Sequence, residues 1–234
     1  MLRPGISNPL LPGIVGECRV NLPKKARRVV CAWFYKTFRS GTFTFQGREF
    51  HYFYHTYHKT YENERAVEIP IVLEIVKKYR GKRLLEVGNV LSHYFPVSHE
   101  ILDKYEKRPG VLNEDVVDFR PSQKYDLIVS ISTLEHVGWA ENPREPAKIS
   151  RAIENLKQCL APGGRMVITL PLGYNPEVDR MSSEGKTQFG RWRYLKRISS
   201  DNRWVEANWE DVRDAKYNNP YPGASGLAVI FIEK

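Results

Sequence analysis

The sequence predicts an α/β fold: a mostly parallel sheet of seven strands with helices on both faces, behind a basic N-terminal extension. Three observations predict it. The apolar run Leu84-Leu85-Glu86-Val87 ends in Gly88 and then small or polar residues, as a buried parallel strand entering a ligand-facing turn does. From there onward, strand-length apolar runs alternate with helical periodicity, the pattern of a parallel sheet. The net charge of +9 is also uneven: residues 1–60 hold ten Lys or Arg against two acids, and residues 61–234 are nearly neutral. The expected division is therefore an extension over 1–61 and an α/β domain over 62–234.

The elements follow in order. Pro4, Pro9, Pro12 and Pro23, with Gly5, Gly13 and Gly16, make the start an irregular arm. Over Lys24–Phe38, the spacings Val30–Phe34–Phe38 and Val30–Trp33 give one helix face behind Lys24, Lys25, Arg27 and Arg28. A basic amphipathic helix can lie on a membrane; docking on its own domain is the favoured reading. Thr42–Phe45 and Arg48–Tyr54 alternate on either side of Gln46-Gly47, a hairpin signal. A polar cluster, Tyr57–Arg65, leads into a helix over 64–79 with Val67, Ile71, Ile75 and Tyr79 on one face. Its regular part is expected to start at Pro70, where proline is best tolerated, and Gly81 ends it.

The expected strands are then 82–87, 99–104, 111–113 and 125–131. A helix over 148–160 follows, stopped by Ala161-Pro162-Gly163-Gly164, with a fifth strand at 165–170. A polar loop spans 171–190, a sixth strand lies within 194–205, and a seventh is 227–232. No apolar run approaches the ~20 residues of a membrane span, so a cytoplasmic protein is expected. Cys18, Cys31 and Cys159 lack paired spacing and are expected as unpaired thiols. The basic extension suggests an anionic partner.

Four stretches carry a family resemblance: Leu84–Gly88; Asn113-Glu114-Asp115-Val116; Tyr125–Ser130 leading to Leu134-Glu135-His136-Val137; and Leu160–Ile168 with its Pro-Gly-Gly. In this order they resemble class I S-adenosylmethionine-dependent methyltransferases, whose Rossmann-like sheet binds the cofactor beyond the strand ends. The resemblance implies S-adenosylmethionine as cofactor. It implies a cofactor site of Glu86, Gly88, Asn89, Ser92, His93, Asp103, Asp115, Val116, Ser130, Ile131 and Arg65. In it Asp103 takes the ribose hydroxyls, Asp115 the adenine amino group beside the Val116 amide, and Ser130 and Ile131 line the opposite side. Arg65 or Tyr57 reaches the cofactor carboxylate. The chain departs from the family's glycine-rich loop, with Val90 and Ser92 where further glycines are usual.

Methyl transfer needs alignment and, for a hydroxyl acceptor, a base. His136, with an ordinary pKa of ~6.5, is the candidate base and Glu135 its neighbour. Trp139, Tyr174, Asn175 and Asp179 are the candidate substrate contacts, suited to a sugar, glycan or similar hydroxylated molecule. Glu135, His136 and Asp179 offer donors to a divalent metal. Lys186–Tyr194 mixes cations with aromatics and suits a lid over an anionic substrate. The leading expectation is O-methylation of a hydroxylated small molecule. An RNA methyltransferase, with nucleic acid on the basic extension, and a non-catalytic binding protein are the alternatives. A homo-oligomer is compatible with each.

Overall fold

The computed structural model describes residues 23–38, 41–184 and 189–234. Most of the expected arm (residues 1–22) and Lys186, Thr187 and Gln188 of the cation–aromatic segment lie outside the described residues.

Helix α1 (Lys24–Phe38) buries Cys31, Ala32 and Tyr35. Tyr35 stacks on Tyr61 at 5.3 Å and meets Tyr54 edge-on at 5.4 Å. The helix thus docks on its own chain, but not through the expected face: Val30, Trp33 and Phe38 are exposed. Cys31 is disulfide-bonded, against the expectation of unpaired thiols, while Cys159 is a free buried thiol.

Strands β1 (Thr42–Phe45) and β2 (Arg48–His51) form the expected hairpin, though the ladder stops at His51, short of Tyr54. Phe43 and Phe45 enter the main core. Helix α2 (Arg65–Lys78) starts before Pro70, not at it. Pro70 has no N–H for the Ala66 carbonyl. The Phe53 N–H fills that bond at 2.9 Å, so the interruption leaves no orphan and ties the hairpin to the helix.

Strands β3 (Leu84–Val87), β4 (Glu100–Leu102), β5 (Val111–Leu112), β6 (Tyr125–Ile131) and β7 (Leu160–Pro171) are parallel. Strands β8 (Arg191–Arg197), β9 (Trp204–Ala207) and β10 (Gly226–Glu233) complete the sheet antiparallel, in the order β5-β4-β3-β6-β7-β10-β8-β9. The sheet has eight strands, not seven, because the 194–205 region folds back on itself at Ser199–Asn202 into the β8–β9 pair. Strand β7 begins at Leu160, so the Ala161–Gly164 stretch lies within it, across a register shift opposite Tyr125 and Leu127.

Both faces of the sheet are covered. Along β6, Leu127, Val129 and Ile131 face α2 and the hairpin, while Ile128 faces the other layer. That layer holds α3 (Lys148–Cys159), α4 (Pro176–Ser183) and the short α5 (Trp209–Val212). In α3, Ile149, Ala152, Ile153 and Leu156 repeat at helical spacing and are buried. Helix α4 replaces part of the expected 171–190 loop: Asn175 accepts the Glu177 N–H at 2.9 Å and Pro176 opens the helix.

Among the described residues no α-helix follows β3 or β4, only a 3-10 turn at Leu91–His93. Strand order reverses between β3 and β6, where an open sheet of this kind leaves a crevice beyond its strand ends.

Candidate active site

A cleft of about 630 Å³ opens at the carboxyl ends of β3, β4 and β6. Of the expected residues, Gly88, Asn89, His93, Asp103, Asp115, Val116, His136 and Tyr57 line it. His58, Lys104, Glu106, Thr133 and Glu141 also line it and were not among the expected site residues.

The turn after β3 needs its one glycine. Gly88 has φ +85°, and a Cβ there would lie 2.2 Å from the Thr133 hydroxyl oxygen. The Val90 position needs none, since its φ is −105°. Side chains hold the rest of the turn. Glu86 is fully buried and points away from the cleft, accepting the Val90 and Leu91 N–H groups at 2.9 and 2.8 Å and facing His99 at 2.7 Å. It shapes the turn and is not placed to touch a ligand. The Ser92 hydroxyl is likewise spent, donating to the Asn89 side chain, which donates in turn to Glu106 at 2.9 Å. His93 stacks on Tyr57 with centroids 4.5 Å apart.

Asp103 keeps its place at the end of β4. One carboxylate oxygen accepts the Tyr105 and Glu106 N–H groups at 2.9 and 2.8 Å, and the other has only the long 3.4 Å approach of the Asn89 N–H. Asp115 is occupied differently from expectation. Lys104 and the buried Lys148 meet one of its oxygens at 2.8 and 2.7 Å, and Lys148 also meets Glu141 at 2.6 Å. Burial works against the charged form, but hydrogen bonds from both lysines hold the Asp115 carboxyl down at about 2. The carboxylate is already neutralised by two cations, so a free acid facing an amino group is not what the cleft presents. Val116 lines the cleft, and no described acceptor takes its N–H.

Three expected cofactor contacts lie behind the cleft wall. Ser130 is buried, and its hydroxyl has no hydrogen-bond partner among the described residues. The Ile131 carbonyl accepts from Arg65 at 2.8 Å. Arg65 also pairs with Glu68 at 3.1 Å, so it clamps the end of β6 and does not reach into the cleft. Glu68, wholly buried, accepts the Ser132 and Thr169 hydroxyls at 2.5 and 2.6 Å. This holds Ser132 at φ +35°, a strained conformation for a residue with a Cβ.

Beyond Ser132 the chain turns into Leu134-Glu135-His136. The His136 Nδ1 lies 2.9 Å from the Tyr174 hydroxyl, with the rings edge to face. Its Nε2 is 3.6 Å from Glu135, beyond hydrogen-bond range. Burial and then the Arg65 charge lower the His136 pKa. Burial pushes the Glu135 carboxyl well above the carboxylate range, and its second oxygen has no partner among the described residues. The imidazole in its neutral form can accept a proton.

The other expected substrate contacts are engaged elsewhere. Asn175 is fully buried, capping α4 and donating to the Glu135 carbonyl at 2.8 Å. Asp179 accepts the Gly173 N–H at 2.9 Å. The Trp139 ring is covered by Arg144 at 4.4 Å. Each side chain fixes the loop that carries it. The three donors Glu135, His136 and Asp179 do not assemble: among the described residues no group of three or more His, Cys, Asp or Glu is placed to hold a metal. No described helix is long and apolar enough to cross a membrane.

Residues 63–208, more than half of the chain, match the model of a methyltransferase domain family. The chain belongs to that family, and its architecture is that of the class I S-adenosylmethionine-dependent methyltransferases. Among solved structures, the N-methyltransferase NodS of Bradyrhizobium japonicum WM9 in complex with S-adenosyl-L-homocysteine is 13% identical. That match covers 69% of this chain and 84% of that one, with a TM-score of 0.41. An S-adenosylmethionine-dependent methyltransferase of Clostridium acetobutylicum is 10% identical over 70% of this chain and 88% of that one, with a TM-score of 0.36. DesVI of Streptomyces venezuelae is 21% identical over 43% of this chain and 48% of that one, with a TM-score of 0.33. No curated protein matches the sequence.

Proposed function

We propose that this methyltransferase transfers a methyl group to the hydroxyl of a small molecule, sugars and glycans included, with His136 as general base. The His136–Tyr174 contact carries the reading. In the tautomer that donates its Nδ1 proton to the Tyr174 oxygen, Nε2 keeps a lone pair. Burial raises the Glu135 pKa, which weakens the pull of its carboxyl group on a proton at that nitrogen. An unassisted alkyl hydroxyl is a poor nucleophile, so a neutral imidazole at the cleft wall is the useful group.

S-adenosylmethionine, when bound, supplies an electrophilic methyl on a sulfonium. The cleft supports holding it. Gly88 admits close approach, the less engaged Asp103 oxygen suits a ribose hydroxyl, and the Val116 N–H suits a ring acceptor. Asp115 carries less of that task than the family pattern implies, because Lys104 and Lys148 engage it. His136 takes the acceptor proton at Nε2, Tyr174 fixes the ring, and Tyr217, 5.2 Å from Tyr174, continues an aromatic wall.

The test pairs calorimetry with product analysis. Wild-type protein should bind S-adenosyl-L-homocysteine and pass a labelled methyl to hydroxylated acceptors. His136→Ala should keep the binding and lose the transfer. Transfer to amines only, or full activity in His136→Ala, would overturn the assignment.

A further inference from the structure

Among the described residues, nothing packs on the outer face of α1. Its inner face, Cys31, Ala32 and Tyr35, packs against Tyr61 and Tyr54. The opposite face leaves Val29 59% and Trp33 59% exposed, with Val30 beside them, and Phe38 at the end of the helix is 63% exposed. Trp33 and Phe34 both pack on Phe38, at 5.6 and 5.5 Å, so the patch is continuous.

The charges are arranged around that patch. The helix carries five cations and no acid: Lys24, Lys25, Arg27, Arg28 and Lys36. None forms an ion pair with an acid among the described residues. At ~100° per residue, Val29, Trp33 and Val30 share one stripe, with Lys25 and Lys36 along one flank and Arg27 along the other. An apolar stripe flanked by long cationic side chains fits a lipid interface. The rings and valines enter the acyl boundary while the cations reach up to anionic headgroups. A nucleic acid fits less well, because Val29 and Val30 offer no stacking surface and would hold the flanking cations off the phosphates.

We propose that α1 docks this protein on an anionic lipid bilayer, lying in the interface over its length of about 22 Å. The helix also packs on the Tyr57–Glu62 turn, which carries Tyr57 and His58 to the cleft. Docking therefore holds one rim of the cleft beside the lipid surface.

The test uses the full chain and vesicles of phosphatidylcholine alone or mixed equally with phosphatidylserine. Cosedimentation with the mixed vesicles, at least tenfold stronger than with phosphatidylcholine and weakened by salt, is expected. The chain has five tryptophans, so the wild-type emission should be quenched in part by brominated acyl chains, and Trp33→Phe should remove that quenching. Trp33→Glu and the double change Lys25→Glu with Arg27→Glu should each cut vesicle binding at least tenfold while keeping the circular dichroism of the parent. Equal binding to both vesicle types, no quenching, salt-sensitive binding to RNA without vesicle binding, or self-association through this face would each overturn the proposal.

Discussion

The His136 Nδ1 and the Tyr174 hydroxyl, 38 residues apart in the chain, meet at 2.9 Å. The turn after β6 carries one and the turn after β7 the other, and the two strands are parallel neighbours. Their carboxyl ends therefore deliver both side chains to the same edge. If His136 is the base, His136→Ala lowers kcat by roughly 10²–10⁴-fold. Tyr174→Phe, which keeps the ring but loses the hydrogen bond, gives a smaller loss. Steady-state kinetics on the two variants checks the order.

The pH profile follows from the lowered pKa of His136. The base must be neutral, so activity falls as pH drops through its folded pKa. With that pKa depressed by burial and Arg65, the acid limb of kcat/KM should lie below the ordinary ~6.5. A limb above 6.5, or one unchanged in His136→Ala, would assign the titration to another group.

Gly88→Ala should damage both fold and binding. The new Cβ meets Thr133 and the residue sits at φ +85°. Strain of about 1–3 kcal/mol is expected. Shortening the neighbour, Thr133→Ala, removes the hydroxyl clash but not the φ penalty, so the double variant should recover only part. Thermal melts of the three variants, with and without S-adenosyl-L-homocysteine, decide it.

The Asp115 cluster predicts acid sensitivity. Its pKa falls from 3.8 unfolded to about 2 in the fold. A depressed carboxylate stabilises above its unfolded pKa, and that contribution, about 2 kcal/mol, disappears as pH falls through the range between the two values. Lys148→Met leaves Asp115 and Glu141 sharing Lys104 alone, and should lower the melting temperature at pH 7 more than at pH 3. An equal loss at both pH values would mean Lys148 acts through packing only.

Asn175→Ala removes a helix cap, costing about 1 kcal/mol. It also frees the Glu135 carbonyl that Asn175 holds at 2.8 Å. The expected signature is a lowered kcat along with lowered stability, since His136 follows Glu135 directly. Urea denaturation and kinetics on the same preparation would show whether both move.

The sheet was legible because its strands are buried on both faces. Tyr125–Ile131 and Leu227–Ile232 read as strands on apolar content alone, and α3 on its spacing. Short elements were harder. Helix α4 hid inside a polar stretch whose one signal was Asn175-Pro176-Glu177, a cap followed by a favourable first residue. The β8–β9 turn at Ser199–Asn202 had no glycine to mark it. The salt cluster was invisible because Lys104, Asp115, Glu141 and Lys148 come from four separate segments.

By itself the sequence determined the layered α/β plan and the glycine turn after the first buried strand, and it singled out the Glu135-His136 pair. Those features depend on local periodicity and residue type, which short windows contain. Only the tertiary structure decided how the polar side chains spend their hydrogen bonds. Glu86, Arg65, Asn175 and Asp179 looked like ligand contacts and serve their own backbone instead. Buried polar groups must be satisfied, and the nearest partner is set by packing, not by sequence distance. Glu68 and Thr169, 101 residues apart, are bonded at 2.6 Å because two neighbouring layers bring them together, and no window of sequence contains that fact.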